Sequence, residues 1–452
     1  MAHSLPKQAK FIIGTEACER FSFYGMKSIL MLYMTTELLM HSDYATSILH
    51  LFVAMVYLLP LVGAWLADKV LGRYKTILYI SLLYCVGHGV LALGDLFHDL
   101  ESRQWVLMTG LFIIAVGAGG IKPCVSSFMG DQIESNDSAL MTKAFNAFYW
   151  SINLGSFFSF ICIPAIRNTY GYSWAFAIPG IFMGVATFIF WLGRKRYNIA
   201  PTTDHKRAGF WSVMYSVLFK GGWASTEKKF GEESIIDAKH ILKVLSIFAF
   251  VIPFWSVFDQ TASSWVTQGN MMQAITIPLF GGGTWVIGPE TIQAANPVLI
   301  LVLIPLISVF VYPYVTKLAS PLVRIGVGLF TAALSFVIVA MIQSAIEDGA
   351  QLSIAWQLLP YLVLTISEIL LSTTGLEFAY TQAPTHLKSM ITSFWNLTIF
   401  MGNILVALIT YFLASDDGSN AISTERFYLY AGIVGVVAIL YAIRARHYNK
   451  EA

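Results

Sequence analysis

The chain of 452 residues is 56% hydrophobic and only 12% charged, with a mean hydropathy of +0.66. A soluble globular domain carries roughly 25% charged residues, so this composition excludes a soluble enzyme and indicates a polytopic membrane protein. The net charge of +2 gives no indication of nucleic-acid binding.

Twelve apolar stretches follow one another along the chain. Each is long enough for a tilted helix through roughly 30 Å of hydrocarbon, so we expect an all-α protein with twelve transmembrane helices. In chain order the windows are 11–38, 44–67, 74–97, 104–129, 143–168, 172–193, 241–268, 295–317, 321–345, 353–380, 389–414 and 427–444.

Basic residues predict the orientation of these helices. With a cytoplasmic N-terminus and alternating loops, 22 of the 28 lysines and arginines lie on the cytoplasmic side, three lie outside and three lie within spans. The positive-inside rule requires this bias for an even number of helices with both termini inside. We therefore expect cytoplasmic N- and C-termini, and the short loops favour a bacterial inner membrane.

A long hydrophilic insert divides the chain into an N-terminal six-helix bundle (1–193), a cytoplasmic linker (194–240) and a C-terminal six-helix bundle (241–452). The apolar residues of segment 210–218 either form an amphipathic helix on the inner leaflet or belong to an ordinary linker. A short basic loop follows the second span of each half. Two such halves are the arrangement of the major facilitator fold, whose substrate sites lie near mid-membrane between them.

The first span carries charges that a lipid-facing helix does not tolerate. Glu16, Glu19, Arg20 and Lys27 lie within it, and each charge costs roughly 2.5–3.5 kcal/mol at the centre of a helix. At about 100° per residue, Glu16, Arg20 and Lys27 share one helical face, with Glu19 beside it. We expect this face to line a hydrated transport pathway.

The other spans add acids and bases that nearly balance. Seven isolated charges would together cost roughly 20 kcal/mol, so we expect pairing in a wet cavity. Such a cavity suits a small zwitterion, and carboxylates beside bases suit proton coupling. The central acids are Glu16, Glu19, Asp259 and Glu368, and the bases are Arg20, Lys27 and Lys122. The other candidates are Tyr24, Tyr33, His50, Tyr57, Tyr149, Asn153, Trp255, Asn296 and Trp395.

Structural interpretations stay open beside these functional ones. Arg20, Lys122 and Glu368 are alternatively ion pairs that hold helices together. His50 is alternatively a hydrogen-bonded packing residue. Tyr33, Tyr57 and Tyr149 are alternatively aromatic residues that only fill space in the core.

Several segments resemble the proton-dependent oligopeptide transporter family in the right order along the chain. EACERFSFYG (Glu16–Gly25) is similar to the family signature E-x-x-E-R-F-x-Y-Y-G. The segments Gly63–Ile77 and Phe148–Ser156 resemble its second and third signatures. Further family segments surround Lys122, Asp259 and Glu368.

The resemblance implies a symporter that imports di- and tripeptides with protons through a lipid bilayer, as a monomer and without a cofactor. It implies that Glu16, Glu19, Arg20, His50 and Asp259 couple protons, and that Lys27 and Asp259 form a gate salt bridge. It implies a substrate site made of Arg20, Tyr24, Lys27, Tyr33, Tyr57, Lys122, Tyr149, Asn153, Trp255, Asn296, Glu368 and Trp395. Of these, Arg20 and Lys122 would hold the peptide carboxylate, and Asn153, Asn296 and Glu368 its amino group.

Two positions depart from the family pattern. Lys27 replaces the usual arginine and lacks its bidentate fork, and Phe23 replaces the first tyrosine of the signature. Three rival functions are a carrier of nitrate or another small anion or zwitterion, an intramembrane peptidase, and a receptor. The sequence lacks a His-x-x-x-His or GxGD pattern, which argues against the peptidase.

Overall fold

The computed structural model describes residues 5–133, 138–199, 210–278, 283–311, 313–315, 318, 320–375, 377–378, 388–414 and 422–451. Within these ranges, eleven helices are long and apolar enough to cross a membrane. The first apolar span is a further helix of 24 residues that carries the four charges noted above. The predicted all-α polytopic fold is confirmed.

The N-terminal part of the chain forms helices that pack around one hydrophobic core. A π-helical segment, Tyr33–Glu37, extends the first helix, and Pro60 begins a separate helix within the second span. The helices are α1 (Ala9–Leu32), α2 (Ser42–Leu58), α3 (Pro60–Leu66), α4 (Arg73–Ala92), α5 (Leu100–Gly130), α6 (Ser138–Tyr170) and α7 (Tyr172–Leu192).

The rest of the chain forms short linker helices, a β-hairpin and the remaining spans. The elements are α8 (Phe210–Phe219), α9 (Gly222–Phe230), α10 (Glu232–Phe248), α11 (Ile252–Phe258), α12 (Ser264–Asn270), β1 (Ile275–Pro278), β2 (Thr284–Ile287), α13 (Ala295–Leu306), α14 (Pro321–Glu347), α15 (Leu358–Glu368), α16 (Lys388–Phe412) and α17 (Thr424–Glu451). The two strands are antiparallel, with Ile275 opposite Ile287.

Two clusters of buried apolar side chains form the core. One comes from the chain between Ala9 and Tyr197 with Val266 added, and the other comes from the chain between Phe210 and Tyr448. The exact borders of the predicted bundles and linker stay a prediction.

The predicted apolar linker segment is helical. Phe210 and Val213 of α8 are buried against the second core, whereas Trp211 and Leu218 are exposed on the opposite side. Its placement on the inner leaflet stays a prediction.

The seventh span is interrupted where it carries its acid. The 3-10 segment Asp259–Ala262 separates α11 from α12, and Ser263 follows with φ −123° and ψ −93°. Because this break interrupts the regular helix, it presents the side chains of Asp259 and Ser263 to the N-terminal half.

Glycines allow the helices of the N-terminal half to approach closely. A Cβ atom on Gly63 of α3 would lie 2.6 Å from the Cα atom of Gly120 of α5, which leaves no room for a side chain. Because Gly120 lies two residues before Lys122 in α5, this contact also fixes the backbone position of Lys122 relative to α3.

Candidate functional site

Three charged side chains of α1 pair with one another. The Nε atom of Arg20 lies 2.6 Å from Oε1 of Glu16 and 3.0 Å from Oε2 of Glu19, and all three side chains are buried. The two carboxylates thus compete for one guanidinium. Protonation of either would weaken the hold on Arg20.

Lys122 is held by aromatic rings. Its Nζ atom lies 4.0 Å from the ring centroid of Phe23 and 4.5 Å from that of Tyr57. The Nζ atom is buried and has no hydrogen-bond partner among the described residues. Cation–π attraction of this kind is worth about 2 kcal/mol or more when the site is desolvated. The two rings therefore stabilise the buried ammonium group in place of a carboxylate.

A cavity of about 220 Å³ lies between the two halves. Phe23 and Tyr57 of the Lys122 site belong to its wall. Predicted residues from both halves line the cavity: Tyr24, Lys27, Tyr57, Tyr149, Asn153, Trp255, Asp259, Asn296 and Glu368. Apolar and amide side chains complete the wall, among them Phe160, Phe258, Gln293 and Ile300. The wall thus offers both signs of charge and several aromatic faces.

Glu368 forms the acidic end of this cavity. The Nδ2 atom of Asn296 donates to its Oε2 at 2.8 Å and lies 3.2 Å from Oγ1 of Thr365. Among the described residues no lysine or arginine forms an ion pair with Glu368. A bound ammonium group would supply the missing counter-charge.

Lys27 and Asp259 connect the halves. The Nζ atom of Lys27 donates to Oδ1 of Asp259 at 3.1 Å, while the Nδ2 atom of Asn403 donates to Oδ2 at 2.8 Å. His50 bonds Asn403 through Nδ1 at 2.7 Å and Ser263 through Nε2 at 2.8 Å. This network joins α1 and α2 to the seventh span and to α16, so separation of the halves would break it.

A second ion pair crosses the seam. The Nη1 atom of Arg167, near the end of α6, lies 2.7 Å from Oε1 of Glu290, which precedes α13. Glu290 lies outside the membrane spans and is almost fully buried. Burial raises the pKa of its carboxyl group, and Arg167 opposes this rise. Both inter-half ion pairs lie toward the face of the bundle where α1 and α6 end.

Eight of the twelve predicted substrate residues line the cavity, and the other four, Arg20, Tyr33, Lys122 and Trp395, do not belong to its wall. The ring of Tyr33 packs against Tyr172 and Phe176 in the core of the N-terminal half, at 4.9 and 5.0 Å between centroids. Trp395 lies behind the wall, where its ring is 6.0 Å from that of Trp255. Any effect of Trp395 on a ligand would therefore pass through Trp255.

The comparison with known proteins decides the family. A model of the POT family, the proton-dependent oligopeptide transporters, matches residues 74–222 and 211–425. The chain belongs to the POT family. Peptide transporter 3 of Caenorhabditis elegans is 37% identical over 76% of this chain, and Solute carrier family 15 member 2 of Homo sapiens is 35% identical over 76%. This POT family chain spans about half the length of these relatives, 52% and 50% respectively.

The fold agrees with that of a solved POT family transporter. PepTSo is 36% identical to this chain, with a TM-score of 0.90 and full coverage of both chains. The predicted major facilitator fold of two six-helix halves is therefore confirmed, and the molecule is a multi-pass membrane protein.

Four residues of this POT family member were missed by sequence reasoning. Asn403 and Ser263 complete the partners of His50, and Arg167 and Glu290 form the second inter-half pair. A polar amide in the apolar run of α16 is a signal for Asn403. Glu290 lies in a polar loop between spans, where an acidic residue is common, so the local sequence does not mark it as a site residue. Within the described ranges, no group of three or more His, Cys, Asp or Glu side chains is placed to hold a metal ion.

Proposed function

We propose that this chain is a proton-coupled symporter that imports di- and tripeptides by alternating access. One observation carries the proposal: the wall of a cavity between the halves contains an acid, Glu368, that has no ionic partner among the described residues, and the ammonium group of Lys122 lies directly behind Phe23 and Tyr57 of the same wall. Glu368 and Asn296 would bind the amino group of a peptide. Arg20 and Lys122 would bind its carboxylate, and the aromatic rings between them would contact its side chains.

The ion pairs of α1 provide a route for coupling. While Glu16 and Glu19 are both ionised, they retain Arg20. A proton on Glu19 would reduce that attraction and free Arg20 for a peptide carboxylate. Closure around a peptide would thus be favourable only when both peptide and proton are bound.

The halves would then rock about the cavity. Opening on the outer side would require rupture of the Lys27–Asp259 and Arg167–Glu290 pairs, and the arrangement described here would be closed on that side. A membrane potential contributes about 2.3 kcal/mol per charge per 100 mV. Together with the proton gradient it would drive accumulation.

The assignment to a cell inner membrane, with both termini in the cytoplasm, rests on the distribution of basic residues. Function as a monomer is part of the same proposal. Each six-helix half contributes one wall of the cavity, so a single chain contains the whole site.

Purified protein in liposomes tests the proposal. We expect labelled dialanine to accumulate when an inward proton gradient is imposed and only to equilibrate without one. Competition by nitrate but not by peptides would favour an anion carrier instead. Release of free alanine would indicate a peptidase, and binding without flux would indicate a receptor.

A further inference from the structure

A second buried histidine lies in the N-terminal half, away from the cavity. His88 of α4 is fully buried, and its Nε2 atom lies 2.9 Å from Oγ of Ser22 on α1. Its Nδ1 atom has no hydrogen-bond partner among the described residues. A buried imidazole nitrogen without a partner is costly, so this position calls for an explanation.

A stacked tyrosine links this histidine to the coupling acid. The rings of His88 and Tyr84 are 5.1 Å apart and nearly parallel, at 18°. The hydroxyl group of Tyr84 is buried and faces Glu19, yet it makes no hydrogen bond of normal geometry within the described part of the chain. The carboxylate of Glu19 is buried too, and its described partner is the ion pair of Oε2 with Nε of Arg20. Two polar groups without a hydrogen-bond partner among the described residues, Nδ1 of His88 and the hydroxyl of Tyr84, thus lie in the seam between α1 and α4 beside the Glu19 carboxylate.

The seam has a direction. Both α1 and α4 belong to odd-numbered spans, so they run parallel. Ser22 and His88 lie nearer the C-terminal ends of these helices than Glu19 and Tyr84 do.

The titratable or charged groups around the seam are Glu19 and Arg20 on α1 and Tyr84 and Cys85 on α4. On the packed helix α7, Gly180 faces His88 and Thr187 faces Cys85, and neither can titrate. On α5, Gly117 packs against Tyr84.

We propose that Ser22, Tyr84 and His88 form a proton relay that delivers protons to Glu19 from the outer side of the N-terminal half. The Ser22 hydroxyl takes up an incoming proton and gives its own to Nε2 of His88, while Nδ1 releases a proton, so the ring ends neutral. The Tyr84 hydroxyl accepts that proton and gives its own to the Glu19 carboxylate. The relay requires internal water between these groups, as buried polar atoms without protein partners commonly bind it.

This relay differs from the network around His50. The partners of His50 are Ser263 and Asn403 in the other half, whereas Ser22, Tyr84 and Glu19 all belong to the same half as His88. Rocking of the halves leaves the relay intact. It would therefore serve Glu19 in every conformation of the cycle.

The inference rests on the proposed symport and is tested in liposomes with two assays. Proton-driven dialanine uptake needs the relay, whereas peptide counterflow exchanges labelled for unlabelled peptide without net proton movement. We expect His88→Gln and Tyr84→Phe each to reduce proton-driven uptake by roughly tenfold and to leave counterflow unchanged. Glutamine can still bond Ser22 from the position of Nε2 but cannot carry a proton, so a merely structural role would be rescued by it.

Tyr430→Phe is the matched control, because Tyr430 is also buried with an unsatisfied hydroxyl but lies in the other half. It should leave both assays unchanged. Wild-type uptake in His88→Gln, or equal loss of uptake and counterflow in both variants, would overturn the relay. Should His88→Gln fail to fold, Tyr84→Phe alone decides. Absence of uptake by the wild-type protein would instead refute the proposed symport itself.

Discussion

The ammonium group of Lys27 and the carboxylate of Asp259 meet at 3.1 Å across 232 residues of chain, and both are buried. Lys27 contacts only Oδ1, because Asn403 already donates to Oδ2. The carboxylate therefore has one oxygen for each partner, and the bidentate fork of an arginine at position 27 would have to displace Asn403.

The Lys27–Asp259 pair should behave as a unit. Removing one partner of a buried pair costs about 3–5 kcal/mol because the other charge is left unpaired. We expect Lys27→Met to open the outer side, and Lys27→Met combined with Asp259→Asn to close it again without restoring proton-driven uptake. Spin-label distances between the halves measure the opening. Additive effects of the two substitutions would contradict this expectation.

Glu19 should be needed for coupling but not for peptide exchange. Glu19→Gln removes the charge that competes for Arg20 and mimics the protonated acid. We expect proton-driven uptake to be abolished while counterflow stays measurable. Retention of proton-driven uptake by this variant would exclude Glu19 from the coupling path.

Glu368 should recognise the amino group of the peptide. A hydrogen bond to a charged group contributes about 1.5–3 kcal/mol, so Glu368→Gln should weaken dialanine binding by roughly tenfold or more. Binding of N-acetyl-dialanine, which lacks the ammonium group, should be weak and unaffected by the substitution. Competition against labelled dialanine measures both. An equal loss for the two ligands would mean that Glu368 shapes the cavity instead.

The aromatic faces of Phe23 and Tyr57 should contribute to peptide binding through their contact with the Lys122 ammonium group. Phe23→Leu removes one ring and should weaken the binding of peptides with a free carboxylate by roughly tenfold, from the loss of a cation–π contact of about 1–2 kcal/mol. Phe23→Tyr and Tyr57→Phe keep both rings and are the matched controls. C-terminally amidated peptides should show no difference between the variants. Equal effects of Phe23→Leu and Phe23→Tyr would refute the role of the ring.

The Arg167–Glu290 pair should separate during the cycle. In a background without the four native cysteines, we expect a short thiol cross-linker between Arg167→Cys and Glu290→Cys to stop uptake, and reduction of a cleavable cross-linker to restore it. Arg103 and Asp95 form a 3.0 Å pair within the N-terminal half. The same cross-linker at Arg103→Cys and Asp95→Cys should therefore leave uptake intact. Full activity of the cross-linked 167–290 variant would show that these positions do not move apart.

The twelve spans, the all-α fold and the charged face of α1 follow from the sequence alone. Hydropathy over about 20 residues determines whether a segment can cross a bilayer, and the cost of buried charge predicts that Glu16, Arg20 and Lys27 face the protein interior and not the lipid. Both are local properties of the chain.

Only the tertiary structure decided which partners these groups have. Lys122 contacts the rings of Phe23 and Tyr57 and pairs with no acid among the described residues, Tyr33 packs in the core of its own half, and Arg167 pairs with Glu290 across the seam. Such pairings depend on the rotation of each helix about its axis and on the register of one half against the other. Side chains that are far apart in sequence set both, and no single window of sequence contains that information.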